Sequence, residues 1–116
     1  MRFLMLVCRD VSIAFSSEDR GTIGAQVQDW VTEMQQRGVR LQGDVLADVD
    51  QTTNVRVRGG EIGIDNGPRI ETTAPATGFN LIECSDLDEA IEVAGRHPMA
   101  RLGILEVRPF WPFEED

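Results

Sequence analysis

One histidine stands among 116 residues. His97 lies in the run Arg96-His97-Pro98, and an ordinary pKa of about 6.5 suits it to acid–base work at neutral pH. A histidine at a helix end has a second use, hydrogen-bonding the last carbonyls and favouring the helix dipole. The other candidates gather at 65–71, where Asp65, Asn66, Arg69 and Glu71 surround a rigid Asn66-Gly67-Pro68 turn. Long ordered loops tend to carry function, although acidic turn residues are also ordinary loop composition. In the catalytic reading His97 acts as general acid or base, Asp65 or Glu71 orients it or shares its proton, and Arg69 holds an anionic group. Asn66 and Glu71 complete the substrate contacts. That chemistry is cofactor-free proton transfer, an isomerisation or elimination on a small acid.

Other chemistries are disfavoured by residue type. One histidine and two distant cysteines, with no His-Glu-x-x-His or Cys-x-x-Cys spacing, argue against zinc or a redox pair, so no metal or cofactor is expected. No Gly-x-Gly-x-x-Gly, Walker loop or Gly-x-Ser-x-Gly elbow occurs. Twenty acidic residues against 11 basic ones give a net charge of −9, and every basic residue is an arginine, spread from Arg2 to Arg108. Such a surface disfavours nucleic acid and anionic membranes as partners. The apolar run from Phe3 to Cys8 is closed by Arg9-Asp10, far short of the ~20 residues a membrane span needs. A soluble, cytoplasmic protein is expected.

The candidates must be positioned by a small set of elements in a single domain, 1–116. Residues 2–8 read as a central strand, apolar on both faces. Residues 16–38 read as a helix: Ser16 and Asp19 have capping-box spacing, Ile23, Val27, Trp30, Val31 and Met34 make an apolar stripe, and Gly38 supplies the stop. A second strand runs from Val39 to about Asp48, bent or bulged at Gly43. Around Gly59-Gly60 the alternation predicts a two-residue hairpin with Val57 opposite Ile62, Val55 opposite Ile64 and an Arg58–Glu61 ion pair at the tip. After the loop, 78–84 is a third core strand. A second helix is capped by Ser85 with Leu87, Ala90, Ile91 and Ala94 buried, Pro98 ends it, and a last strand spans about 104–110.

That order is a split βαβ, ferredoxin-like plan with a β-hairpin inserted before the third core strand, an α+β fold. Both helices cover one face of the sheet. The strands are apolar in both directions, with Phe3, Met5, Phe79 and Leu81 on one parity and Leu4, Leu6 and Ile82 on the other. A bare apolar face predicts a homodimer with sheets packed face to face. Trp30 and Trp111 are expected in the core or at the dimer contact, and the Phe110-Trp111-Pro112-Phe113 end across the dimer. Cys8 and Cys84 fall at opposite ends of the sheet, roughly 20 Å apart from the rise per residue, as buried thiols with no disulfide.

Three stretches carry a family resemblance: Gly78-Phe79-Asn80-Leu81-Ile82-Glu83, the helix start Leu87-Asp88-Glu89-Ala90, and Gly103-Ile104-Leu105-Glu106-Val107-Arg108-Pro109. With Asp65-Asn66-Gly67-Pro68 after the hairpin, nearly the whole chain resembles the YCII-related proteins, specifically the DGPF-domain branch. The resemblance implies a dimeric α+β barrel of ferredoxin-like subunits. It implies lyase or isomerase activity through a His-Asp pair in some relatives, no assigned reaction in most of the branch, and association with extracytoplasmic-function sigma factors in some. Asn66 stands at the signature aspartate, Arg69 replaces its phenylalanine, Glu71 matches its glutamate, and the first helix lacks the histidine of the enzymatic relatives. Two functions follow. One is the enzyme described above, with a small anionic metabolite as substrate; the other is a non-catalytic dimer that binds a metabolite or serves a stress or sigma-factor circuit.

Overall fold

The computed structural model of the chain describes residues 1–111. In chain order it contains β1 (Arg2–Arg9), α1 (Ser17–Gln36), β2 (Arg40–Val45), β3 (Thr53–Arg58), β4 (Glu61–Asn66), β5 (Ala76–Glu83), α2 (Leu87–Gly95) and β6 (Gly103–Pro109), with short 3-10 turns at Val49–Gln51 and Pro98–Arg101. The core strands form one antiparallel sheet in the order β2-β5-β1-β6, and β3 and β4 pair separately. This is the α+β, ferredoxin-like plan with the inserted hairpin.

Local chemistry explains the element ends. The Ser16 hydroxyl accepts from the Asp19 N–H and the Asp19 carboxylate accepts from the Ser16 N–H, both at 3.0 Å, a complete capping box. At the other end Gly38 takes φ 72°, while the Val39 N–H reaches the Met34 carbonyl (2.9 Å) and the Gly38 N–H that of Gln35 (3.0 Å). These paired bonds make a Schellman stop. The second helix starts differently from expectation. Its N-cap is Asp86, whose carboxylate accepts the Glu89 N–H at 2.8 Å, and Ser85 instead donates its N–H and hydroxyl to the Glu89 carboxylate. Its buried face is Ala90, Val93 and Ala94, at the i, i+3, i+4 spacing of one helix face and packed into the core, with Leu87 and Ile91 exposed; Trp30 Nε1 donates to the Val93 carbonyl at 3.0 Å.

The hairpin keeps the expected register, with Gly59 and Gly60 at φ 57° and 79°. Its tip ion pair does not form: Arg58 donates to the neighbouring Val57 carbonyl, and the pair on this hairpin is Arg56 with Asp65 at 2.9 Å. On β2 the register slips between Arg40 and Gln42, so the bulge lies at Leu41 and not at Gly43. Gly43 is needed for close approach instead. A Cβ there would collide with Asn80 Oδ1 and stand 2.6 Å from both Arg40 Nη2 and the Phe79 carbonyl oxygen.

Register also corrects the two faces of the sheet. Phe3 pairs with Ile82, Leu4 with Leu81, Met5 with Asn80 and Leu6 with Phe79, so odd-numbered residues of β1 share a face with even-numbered ones of β5. Phe3, Met5, Val7, Ile82 and Asn80 lie under the helices. Leu4, Leu6, Phe79 and Leu81 lie half-buried on the other face. The core joins Phe3, Met5 and Ile82 to Trp30 and Met34 of α1 and Val93 of α2, each fully buried apolar side chain contributing about 1.5–3 kcal/mol. Trp30 is thus a core residue. Trp111 is exposed, and the rest of the C-terminal segment expected at a dimer contact, Pro112 and Phe113, lies outside the described residues. Both cysteines are free and buried, Cys8 beside Ala76 and Cys84 beyond the opposite end of the sheet.

Candidate functional site

Pro98 cannot continue α2, so the chain turns at His97 and starts a new 3-10 turn. His97 caps that turn: its Nδ1 accepts the Met99 N–H at 3.0 Å. The last carbonyls of α2 are met by the backbone, the His97 N–H donating to the Ala94 carbonyl at 3.1 Å, and not by the ring as one sequence reading holds. The proton is assigned to Nε2 from this hydrogen bond. The ring is 4% exposed and meets Trp30 edge to face, with centroids 4.8 Å apart. Burial drives the imidazole pKa down to about 4, so His97 is neutral at pH 7 and presents an N–H donor.

Between α1 and the β2-β5-β1 part of the sheet lies a cavity of about 490 Å³, walled in part by His97, Trp30, Arg9, Arg40 and Asn80. That volume suits a small molecule. Arg40 sits at the start of β2, and its Nε donates to Asn80 Oδ1 at 2.7 Å, the amide itself being buried. Arg9, at the end of β1, places its guanidinium 4.3 Å over the Phe15 ring. Its Nε is buried and has no hydrogen-bond partner. Five arginines, at 2, 37, 56, 96 and 101, make ion pairs with side-chain carboxylates. Among the described residues the other six make none: Arg20, Arg58, Arg69 and Arg108 are exposed, whereas Arg9 and Arg40 are half-buried and line the cavity, in a chain with 20 carboxylate side chains. Asp44 also lines the cavity, and its carboxylate accepts the Val45 N–H.

A second depression, about 620 Å³, lies on the far side of Trp30 and His97 and includes Glu33, Arg96 and Arg101. Its arginines are already matched, Arg96 to Glu33 at 2.6 Å and Arg101 to Asp19 at 2.9 Å. Of these two depressions, only the first is lined by arginines without a carboxylate partner.

The loop candidates sit elsewhere in the chain. Asp65, on β4, accepts from Asn54 Nδ2 at 3.0 Å and from Arg56 Nη1 at 2.9 Å, and these bonds hold its carboxyl below the usual carboxylate range. Asn66 ends β4 opposite Thr53. Arg69 and Glu71 are exposed, and Glu71 borders a separate depression with Pro68, Ile70 and Thr72. Among the described residues no hydrogen bond or ion pair joins His97 to Asp65, Asn66, Arg69 or Glu71. Sequence reasoning did not single out Arg9, Arg40 or Asn80. Asn80 carries the available signal, a lone amide among apolar neighbours in a strand whose sheet-mates are buried.

The described residues contain no group of three side chains fit to hold a metal ion, and no helix long and apolar enough to cross a membrane. Burial raises both thiol pKa values, which makes Cys8 and Cys84 poor nucleophiles. The family model of the YCII-related domain matches residues 1–114. No match is found among curated proteins.

Proposed function

The chain belongs to the YCII-related domain family, and on that footing we propose that it is a dimeric protein binding a small anionic metabolite, a carboxylic acid, in the 490 Å³ cavity. The observation that carries this reading is the pair of arginines there without a carboxylate partner, one with a buried, unbonded Nε. A buried donor left unsatisfied costs about 1–3 kcal/mol, more when charged, and a carboxylate entering the cavity recovers that energy through charge-assisted bonds. His97 contributes its neutral Nε2–H, which fixes orientation without adding charge. Two copies pack through the open sheet face of Leu4, Leu6, Phe79 and Leu81, giving the dimeric barrel. Placement in the DGPF branch and in the cytoplasm belongs to the same reading.

A second reading, a cofactor-free lyase or isomerase, draws support from the His97 ring on the cavity wall. In that reading His97 takes a proton at Nε2 only after its tautomer shifts, which breaks the Met99 bond, and Asp65 or Glu71 is supplied by the second copy. Arg69, Asn66 and Glu71 then hold substrate from across the interface.

The test is thermal unfolding with acetate, succinate and benzoate beside their uncharged amides. At about 100 times Kd a ligand adds about 2.7 kcal/mol, or roughly 10 °C in Tm for a domain of this size. The expected result is a rise with at least one acid, none with its amide, and loss of the rise in Arg40→Gln. Equal rises for acid and amide, or a full rise in Arg40→Gln, overturn the binding reading.

A further inference from the structure

The hairpin poses a separate physical problem. β3 and β4 hydrogen-bond only to each other, and an isolated two-stranded ribbon is marginally stable in water. One of its faces is polar, with Asn54 and Arg56 both bonded to Asp65. The other is a four-residue apolar face, Val55, Val57, Ile62 and Ile64, and these side chains are 64%, 57%, 70% and 65% exposed. Ordinary exposed aliphatics are scattered singly; four at paired register positions form a patch.

The dimensions of the whole chain say what covers it. The accessible surface is 8064 Å², whereas a compact monomer of 12.9 kDa exposes about 6,300 Å². The radius of gyration is 16.4 Å against about 13 Å for a compact domain of this length. The extents of 49 × 48 × 18 Å describe a slab one helix layer and one sheet thick. The excess, roughly 1,700 Å², falls within the surface that each partner of an obligate homodimer buries, about 1,000–2,500 Å². One two-fold axis can cover the hairpin face and the open sheet face on both copies at once, whereas a partner seated on either face alone leaves the other bare.

We infer that the β3–β4 hairpin is an intersubunit arm, its Val55, Val57, Ile62 and Ile64 face lying on a second copy of this chain. The inference rests on the dimer named above and adds the arm to it. The polar face, with its Arg56–Asp65 pair, stays in water. The arm also accounts for the length of the flanking segments: residues 46–52 and 67–75 carry the hairpin out from the sheet edge without tying it to either helix.

The test is sedimentation equilibrium of the wild-type chain, of Val57→Asp with Ile62→Asp, and of Arg56→Gln on the polar face as control. Hydrogen exchange of the wild-type hairpin amides is followed over the same dilution series, and far-UV circular dichroism confirms that each variant keeps its helices. The expected result is a wild-type and control dimer, at least a 100-fold weaker dimer for the apolar-face variant, and hairpin exchange that quickens on dilution. A double variant that dimerises as tightly as wild type, or exchange indifferent to dilution, overturns the arm and leaves the sheet-face dimer standing. A wild-type chain that sediments as a 12.9 kDa species at all concentrations overturns both.

Discussion

His97 makes the stability of this protein depend on pH in a window where few other groups titrate. Its pKa falls from 6.5 to about 4 on folding, through burial. Between those values the unfolded chain binds a proton that the folded chain refuses, so stability is lost as pH falls. At about 1.4 kcal/mol per pH unit the full penalty is about 3 kcal/mol, of which about 2 kcal/mol accrues between pH 7 and pH 5. The carboxylates held low by their partners, Asp65, Glu83, Glu89 and Glu92 among them, act in the same direction. Their contribution is present above their unfolded values and fades as pH drops through the lower folded ones, so most of their loss falls below the window. The assay is urea unfolding at pH 7, 6 and 5 of the wild type and of His97→Asn, whose side-chain oxygen can still accept the Met99 N–H as a cap. Losing the ring against Trp30 lowers the variant at every pH by a constant amount. The pH dependence separates the two proteins: the wild type loses about 2 kcal/mol more than the variant from pH 7 to pH 5. Parallel curves would refute the reasoning. So would a proton NMR titration of the lone histidine, read without assignment ambiguity, that returned a midpoint of about 6.5 in the folded protein.

Three further outcomes follow from the cavity and the caps. Gly43→Ala drives a methyl group into Asn80, Arg40 and the Phe79 carbonyl; it is expected to cost about 1–3 kcal/mol in denaturant unfolding and to abolish the acid-dependent rise in Tm. Arg9→Met removes a buried donor that has no partner while keeping an apolar side chain near Phe15. The unliganded protein should therefore stay within about 1 kcal/mol of wild type by urea unfolding, yet show no stabilisation by the acid that stabilises wild type. Ser16→Ala takes the hydroxyl from the α1 capping box and should cost about 1 kcal/mol by the same measurement, with acid binding unchanged.

Those features of the fold that depend on neighbours in sequence were legible in it. Ser16 and Asp19 specify a helix start through a four-residue contact, Gly38 supplies the one conformation that the stop requires, and two adjacent glycines set the register of the hairpin. Where two local choices compete, spacing alone decides less. At the second helix Ser85 and Asp86 both have capping chemistry, and the carboxylate three residues before Glu89 takes the N–H while the serine turns to the glutamate. The faces of the sheet were harder still, because alternation within one strand says nothing about which parity of the next strand shares its face. Only the pairing of Phe3 with Ile82 settles that, and it is a contact across 79 positions.

The site was less legible than the fold for the same reason. A search by residue type leads to the loop at 65–71, where carboxylates, an amide and an arginine are neighbours in sequence. In the folded chain Asp65 is already bonded to Asn54 and Arg56, and local crowding of polar residues has satisfied itself. The polar lining of the cavity comes from residues far apart in sequence: Arg9 closes β1, Arg40 opens β2, and Asn80, bonded to Arg40, sits mid-strand on β5, three residues from three elements that meet through sheet pairing. His97 connects the two views. Its type made it conspicuous, but burial changes what that type can do, from a proton carrier at neutral pH to a fixed, uncharged donor. In the binding reading proposed above, the two guanidinium groups and the neutral donor hold an anion, with the Asp44 carboxylate on the same wall engaged by the Val45 N–H. Proton uptake by His97 at either nitrogen then means giving up the Met99 hydrogen bond that orients its ring, since Nδ1 must be protonated in both cases.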